Sequence, residues 1–191
     1  DVDGVFTADP RIVPQARKLT KVHFDEMLEM AGAGSKVLAM RSVEFARNHD
    51  VPLHVRSAFT WEQGTIVSNE EPSVEDPIIS GVVTDMTEAK VTVLGVPDRP
   101  GISAALFEPL AEANVNVDMI VQNVSADGKT TDLTFTVPAT DYQRAMDVIA
   151  KAKDKIGYQR VDGATDVAKV SVIGIGMRSH AGVAARAFKA L

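Results

Sequence analysis

Asp98 and Asp118 lie on either side of one helix-type run, where acid is not what the chemistry of a helix start would call for. The stretch VTVLGVPDRPGISAALFEPLAEANVNVDMI, Val91 to Ile120, opens as a β-type run and breaks at Asp98-Arg99-Pro100-Gly101. It continues as a helix-type run and closes on a second β-type run that carries Asn116 and Asp118. The first N–H groups of a helix lack partners and its dipole is positive there, so anions bind. Gly101 lets a ligand approach the backbone, and the N–H groups of Ile102 and Ser103 are placed to take a carboxylate. Asp98 and Asp118 then supply negative charge for an ammonium group. A zwitterionic amino acid carries both groups, and the constellation reads as a site for one. The competing reading is that Asp98 simply caps the helix, worth about 0.5–2 kcal/mol. Asn116, Asp118 and Gln122 share a parity that puts them on one face if a single strand carries them; a solvent-facing alternation gives the same pattern.

Other chemistry is poorly represented. The four histidines, His23, His49, His54 and His180, have no metal-ligand spacing, and with no cysteine there is neither a disulfide framework nor a thiolate metal site. In GIGMRSHAG, from Gly174, Ser179 falls where a dinucleotide fingerprint requires its third glycine, so that reading is rejected. Trp61 reads as a packing residue. A formal net charge of -6 disfavours nucleic acid and anionic membrane as partners, and no apolar run approaches the roughly 20 residues of a membrane span. A reducing cytoplasm is the expected compartment.

The elements that must position these residues are legible in outline. With 45% hydrophobic residues in 191, the chain can bury a sizeable core as one domain or two small ones. Up to about Ser68 it is mixed: helical signals over Asp25–Met30 and Ser35–Arg47, strand signals over Pro52–Arg56 and Gly64–Val67. SNEEPSVEDP, Ser68 to Pro77, is polar, acidic and proline-punctuated, as linkers are. Beyond it a repeat appears. AKVTVLGVPDRPGISAALFEPL from Ala89 returns as AKVSVIGIGMRSHAGVAARAFKAL from Ala168, each copy reading strand, glycine turn, helix. The first copy continues through strands at Val115–Val124 and Thr131–Val137, a helix from about Asp141 to Lys155 started by a Thr140/Gln143 capping box, and a strand at Gln159–Ala164. That is the β-α-β-β-α-β order of a ferredoxin-like unit. The second copy stops within its first helix at Leu191, so the expectation is a fragment at both ends of an α/β (α+β) protein.

The glycine-turn repeat, with PDRPG, NVNVDMIVQNVS and TTDLTFTV, resembles the tandem ACT regulatory domains of bacterial aspartokinases. Independently, DVDGVFTADPR at the amino end and GSKVL at 34–38 resemble the nucleotide-binding stretches of the aspartokinase catalytic domain. The resemblance covers essentially the whole chain. It implies that 1–68 end an amino-acid kinase catalytic domain, 69–77 form a linker, 89–164 form a first ACT domain, and 78–88 with 165–191 form an incomplete second one. The implied activity is transfer of a phosphoryl group from ATP, with Mg2+, to the side-chain carboxylate of L-aspartate, giving 4-phospho-L-aspartate under feedback by lysine, threonine or both. A non-catalytic ACT regulatory subunit or amino-acid-sensing module is the alternative. The nucleotide positions map onto Asp1, Phe6, Arg11, Lys36 and Val37, where Phe6 replaces the usual tyrosine. Effector contacts map onto Asp98, Arg99, Pro100, Gly101, Ile102, Ser103, Asn116, Val117, Asp118 and Gln122, and onto Val183 and Ala184 in the second repeat, Ala184 standing where threonine is frequent. Catalytic side chains are expected upstream of Asp1, and no protein metal ligand is expected. The implied assembly is a homo-oligomer or a catalytic/regulatory complex formed through the ACT domains.

Overall fold

A computed structural model describes residues 2–70, 79–125, 128–174 and 182–190. Asp1, most of the expected linker and the glycine turn of the second repeat lie outside them. The chain forms two compact units, Asp1–Asp85 with Val170–Leu191, and Met86–Lys169.

In the first unit β1 (Lys21–His23), α1 (Phe24–Gly32), α2 (Met40–Asn48), β2 (Leu53–Val55) and β3 (Thr65–Ser68) follow in order. β3 is central in its sheet, parallel to β1 and antiparallel to β2. A capping box starts α1: His23 Nδ1 accepts the Asp25 N–H at 3.2 Å and the Glu26 carboxylate accepts the His23 N–H at 3.4 Å. Phe24, Met27 and Met30, three apart, then fall on one face and are buried with Val22, Val43 and Val67. The second helix begins at Met40, five residues later than its sequence signal. The intervening loop is closed by Ser35 N–H donating to Met30 O at 2.9 Å and passes through Gly34 at φ +110°. β4 (Gly81–Asp85) lies beside β9 (Lys169–Ile173), and α6 (Val183–Ala190) follows the second glycine turn.

The second unit runs β5 (Glu88–Pro97), α3 (Ile102–Glu112), β6 (Ile120–Val124), β7 (Thr130–Pro138), a 3-10 turn (Ala139–Asp141), α4 (Tyr142–Lys151), α5 (Lys153–Ile156) and β8 (Arg160–Ala164). Its sheet has the order β6-β7-β5-β8 with every neighbour antiparallel, the ferredoxin-like arrangement expected from the order of its elements. Alternate residues Val91 and Val93 of β5 and Leu133, Phe135 and Val137 of β7 pack against Leu106, Leu110 and Ile149 of the helices. Phe107 meets Phe135 edge to face at 5.3 Å.

Three local expectations are corrected. The strand expected from Val115 begins only at Ile120, because Val115 turns into the core and its N–H closes the end of α3 on Leu110 O at 2.9 Å. The helix expected over 141–155 breaks at Ala152 into two. The Thr140/Gln143 capping box does not form: a 3-10 turn occupies that position, and the Gln143 amide donates instead to Asp147 Oδ1 at 3.0 Å.

Candidate functional site

Residues distant in sequence line a single cleft of about 340 Å³ in the first unit. Its walls are Gly4–Phe6, Ala8–Arg11, Gly34–Val37 and, from β4, Gly81–Thr84. Thr65 on β3 fixes the first wall, its hydroxyl accepting the Val5 N–H at 2.8 Å and donating to Leu19 O at 2.6 Å. Val82 N–H donates to Thr7 O at 2.8 Å and ties β4 to the same strip. Phe6 is half-buried, and Lys36 is exposed with no ion-pair partner among the described residues. Arg11 differs: its Nε and Nη2 bond the Asp9 carboxylate at 3.0 and 2.7 Å, which pulls the Asp9 carboxyl below the usual range and raises the guanidinium. Nη1 makes none of these bonds. The cleft thus joins Phe6, Arg11, Lys36 and Val37, while Asp1 lies outside the described residues.

The structure rearranges the amino-acid constellation. Asp98 is not a helix cap: the cap position of α3 is Gly101 at φ +84°, without a side-chain bond. Ile102 is buried and its N–H turns back to Arg99 O at 3.3 Å; the first helical bond runs from Ala105 N–H to Gly101 O at 3.1 Å. The open donors among the described residues are therefore Ser103 and Ala104, not Ile102. Gly101 faces open space, with nothing within 4 Å of where a Cβ would stand. Asp98, Arg99 and Pro100 are exposed and Ser103 is half-buried; Arg99 reaches Lys155 O at 3.4 Å.

Asp118 is elsewhere. β6 runs parallel to β5, since both are antiparallel to β7, so the start of β6 lies at the start of β5 and away from the α3 amino end. The hydrogen bonds show it: Asp98 N–H donates to Lys129 O, before β7, and Asp118 N–H to Thr136 O near the other end of that strand. At about 3.3 Å per residue the two aspartates are roughly 20 Å apart. One chain cannot wrap both around a single ammonium. Asn116 and Asp118 precede β6 rather than share it with Gln122; all three are exposed and Val117 is half-buried. Asp118 instead binds the ammonium of Lys169, which holds its carboxyl below the usual range. In the second repeat Gly182 at φ +91° accepts from Arg186 N–H at 3.0 Å, repeating the Gly101–Ala105 geometry, with Val183 half-buried and Ala184 exposed at the start of α6.

Sequence reasoning missed Asp9, Ala104, Lys169 and the wall supplied by β4. The contribution of β4 to the cleft has no local signal. Lys169 had one, because it is the repeat counterpart of Lys90.

Residues 1–57 match the amino acid kinase family and residues 91–152 the ACT domain. The aspartokinase of Pseudomonas aeruginosa is 54% identical over all of this chain, which covers 47% of that protein. The chain thus spans about half the length of the curated relatives it matches. A crystal structure of aspartokinase alpha and beta subunits is 43% identical with a TM-score of 0.53, covering 58% of this chain and 72% of that one. Escherichia coli aspartokinase III in complex with lysine and aspartate is 26% identical with a TM-score of 0.77, covering 100% of this chain and 42% of that one.

Proposed function

Because this chain belongs to the aspartokinase family, we propose that it carries the nucleotide-binding end and the effector-sensing region of an enzyme that phosphorylates the side-chain carboxylate of L-aspartate with ATP. The observation that carries this reading is the convergence of Phe6, Arg11, Lys36 and Val37 on one cleft. Its volume suits a nucleoside. Phe6 offers a face for the adenine, and without a phenolic hydroxyl it acts through packing alone. Lys36 and the open side of Arg11 offer cations for the phosphates. Bound magnesium would add charge neutralisation at the phosphates; of the described carboxylates lining the cleft, Asp9 is committed to Arg11 and Asp3 is exposed. These groups hold and orient the nucleotide. The acid-bearing substrate and the side chains around it belong to the remainder of the enzyme.

The exposed turn Asp98–Ser103 is the effector site in this reading, with lysine or threonine as ligand. The Ser103 and Ala104 N–H groups take the carboxylate and Asp98 takes the ammonium. The second carboxylate comes from another copy. β6 is an edge strand, exposed along its whole length. Antiparallel pairing of two such edges sets the start of one beside the end of the other, bringing Asp118 of a second copy towards Asp98. The repeat and the pairing of β4 with β9 support assigning 78–88 with 165–191 to a second ACT unit, with Val183 and Ala184 in the corresponding place. A purely regulatory subunit is the competing reading, and nucleotide binding by this chain's cleft separates the two.

The test titrates lysine, threonine and their mixture against a full-length enzyme carrying this sequence and its Asp98→Ala and Gln122→Ala variants. Asp98→Ala should raise the half-inhibitory concentration about tenfold or more, the worth of one charge-assisted hydrogen bond. Variants that keep the parent's inhibition curve but lose turnover without effector would place these residues in catalysis or folding instead.

A further inference from the structure

The carboxylate of Asp118 already holds an ammonium. Lys169, the first residue of β9, sets its Nζ on Asp118 Oδ2. The lysine side chain is only 14% exposed against 59% for the aspartate, so the amine is delivered from inside the fold to a carboxylate that faces solvent. The aspartate backbone is anchored by its N–H bond to Thr136 O at 3.0 Å. The repeat counterpart Lys90 is exposed and has no ion pair among the described residues, so the contact is particular to the second copy. A lysine ammonium is a compact charge with three donors, the same group that every free amino acid presents at neutral pH.

We propose that Lys169 is a tethered competitor for the ammonium of the amino-acid ligand at Asp118, so that the ligand binds by exchanging one ammonium for another. This rests on the assignment of Asp118 to the effector site. An ion pair open to solvent on its carboxylate side is weak enough to be exchanged. The consequence falls on the other member: a largely buried lysine side chain that loses this carboxylate loses one of the contacts that hold it where it stands. Lys169 opens β9, β9 lies beside β4, and β4 forms one wall of the nucleotide cleft. Exchange at Asp118 therefore gives the ligand unequal affinity for two arrangements of β9, which any ligand-driven shift requires.

The experiment measures lysine and threonine binding calorimetrically to a full-length enzyme carrying this sequence and to its Lys169→Met, Lys169→Arg and Asp118→Asn variants. Removing the competitor in Lys169→Met should tighten binding about 2- to 5-fold, the strength of an exposed pair, whereas Lys169→Arg should not. Asp118→Asn should weaken binding in every background. If Asp118→Asn weakens binding but Lys169→Met leaves it unchanged or weaker, the exchange is wrong and the effector site stands. If Asp118→Asn binds like the parent, the site assignment fails first. On the unaltered protein, acylation of the Lys169 amine followed by mass spectrometry should rise several-fold on saturation with the effector. Unchanged labelling at saturation overturns the proposal even where a variant fails to fold.

Discussion

Lys36 and Arg11 bring positive charge to one cleft in different states of commitment. Arg11 is bound at two nitrogens by Asp9, whereas Lys36 is not ion-paired among the described residues. Lys36→Ala should accordingly weaken nucleotide affinity about 10- to 100-fold, as loss of a hydrogen bond to a charged group does, measured by fluorescent-nucleotide displacement. Asp9→Asn should act the other way by releasing Arg11. Asp118 gives a pH test. Its folded carboxyl lies below the ordinary value through Lys169, so the stability that it contributes is present above the unfolded value and lost as pH falls through the folded one. Carboxyl NMR of the intact chain should show Asp118 titrating below the ordinary aspartate value, and Lys169→Met should return it towards the ordinary range. Motif resemblance could name Phe6, Arg11, Lys36 and Asp118 one by one. It could not show that Asp9 or Lys169 already holds two of them, because those bonds are set by χ angles and neighbouring strands.

Elements fix which of these residues can meet, and here sequence patterning was strong for type and weak for ends. The ferredoxin-like order followed from apolar alternation in β5 and β7 and from the repeat. The start of β6 was misplaced because Val115 and Val117 continue an alternation that the fold uses to close α3 and enter the core. The match to a zwitterionic ligand put Asp98 and Asp118 together, where strand direction separates them. Gly34 and Gly101 test how far loops hold the sites. Both have positive φ, but a Cβ on Gly34 would stand 2.8 Å from Asp85 Oδ2 and 3.1 Å from Asp85 Cβ, while Gly101 meets nothing within 4 Å. Gly101→Ala should cost about 1 kcal/mol of backbone strain in urea unfolding. Gly34→Ala should cost about 1–3 kcal/mol and displace Lys36, so nucleotide affinity falls with stability.

At the scale of the whole molecule, the exposed edge of β6 carries apolar Ile120, Val121 and Val124, a surface that invites a second strand. Val124→Lys in a full-length enzyme carrying this sequence should therefore shift sedimentation towards smaller species at micromolar concentration and weaken inhibition in parallel. Dissociation without loss of inhibition would detach the effector site from the contact between copies. The pairing of β4 with β9 also orders events in time. Ribosomes add roughly 5–20 residues per second, and the whole of Met86–Lys169 is made after β4 and before the rest of β9. For several seconds on every ribosome β4 has no β9 to pair with, while the second unit, whose sheet is complete by Ala164, can already close. Once folded, that unit stands in for a long flexible loop and lowers the entropy cost of bringing the two strands together. A substitution that slows folding of the second unit would thus be felt first as nascent chains in which the cleft of the first unit is unfinished, prone to capture by chaperones and proteases.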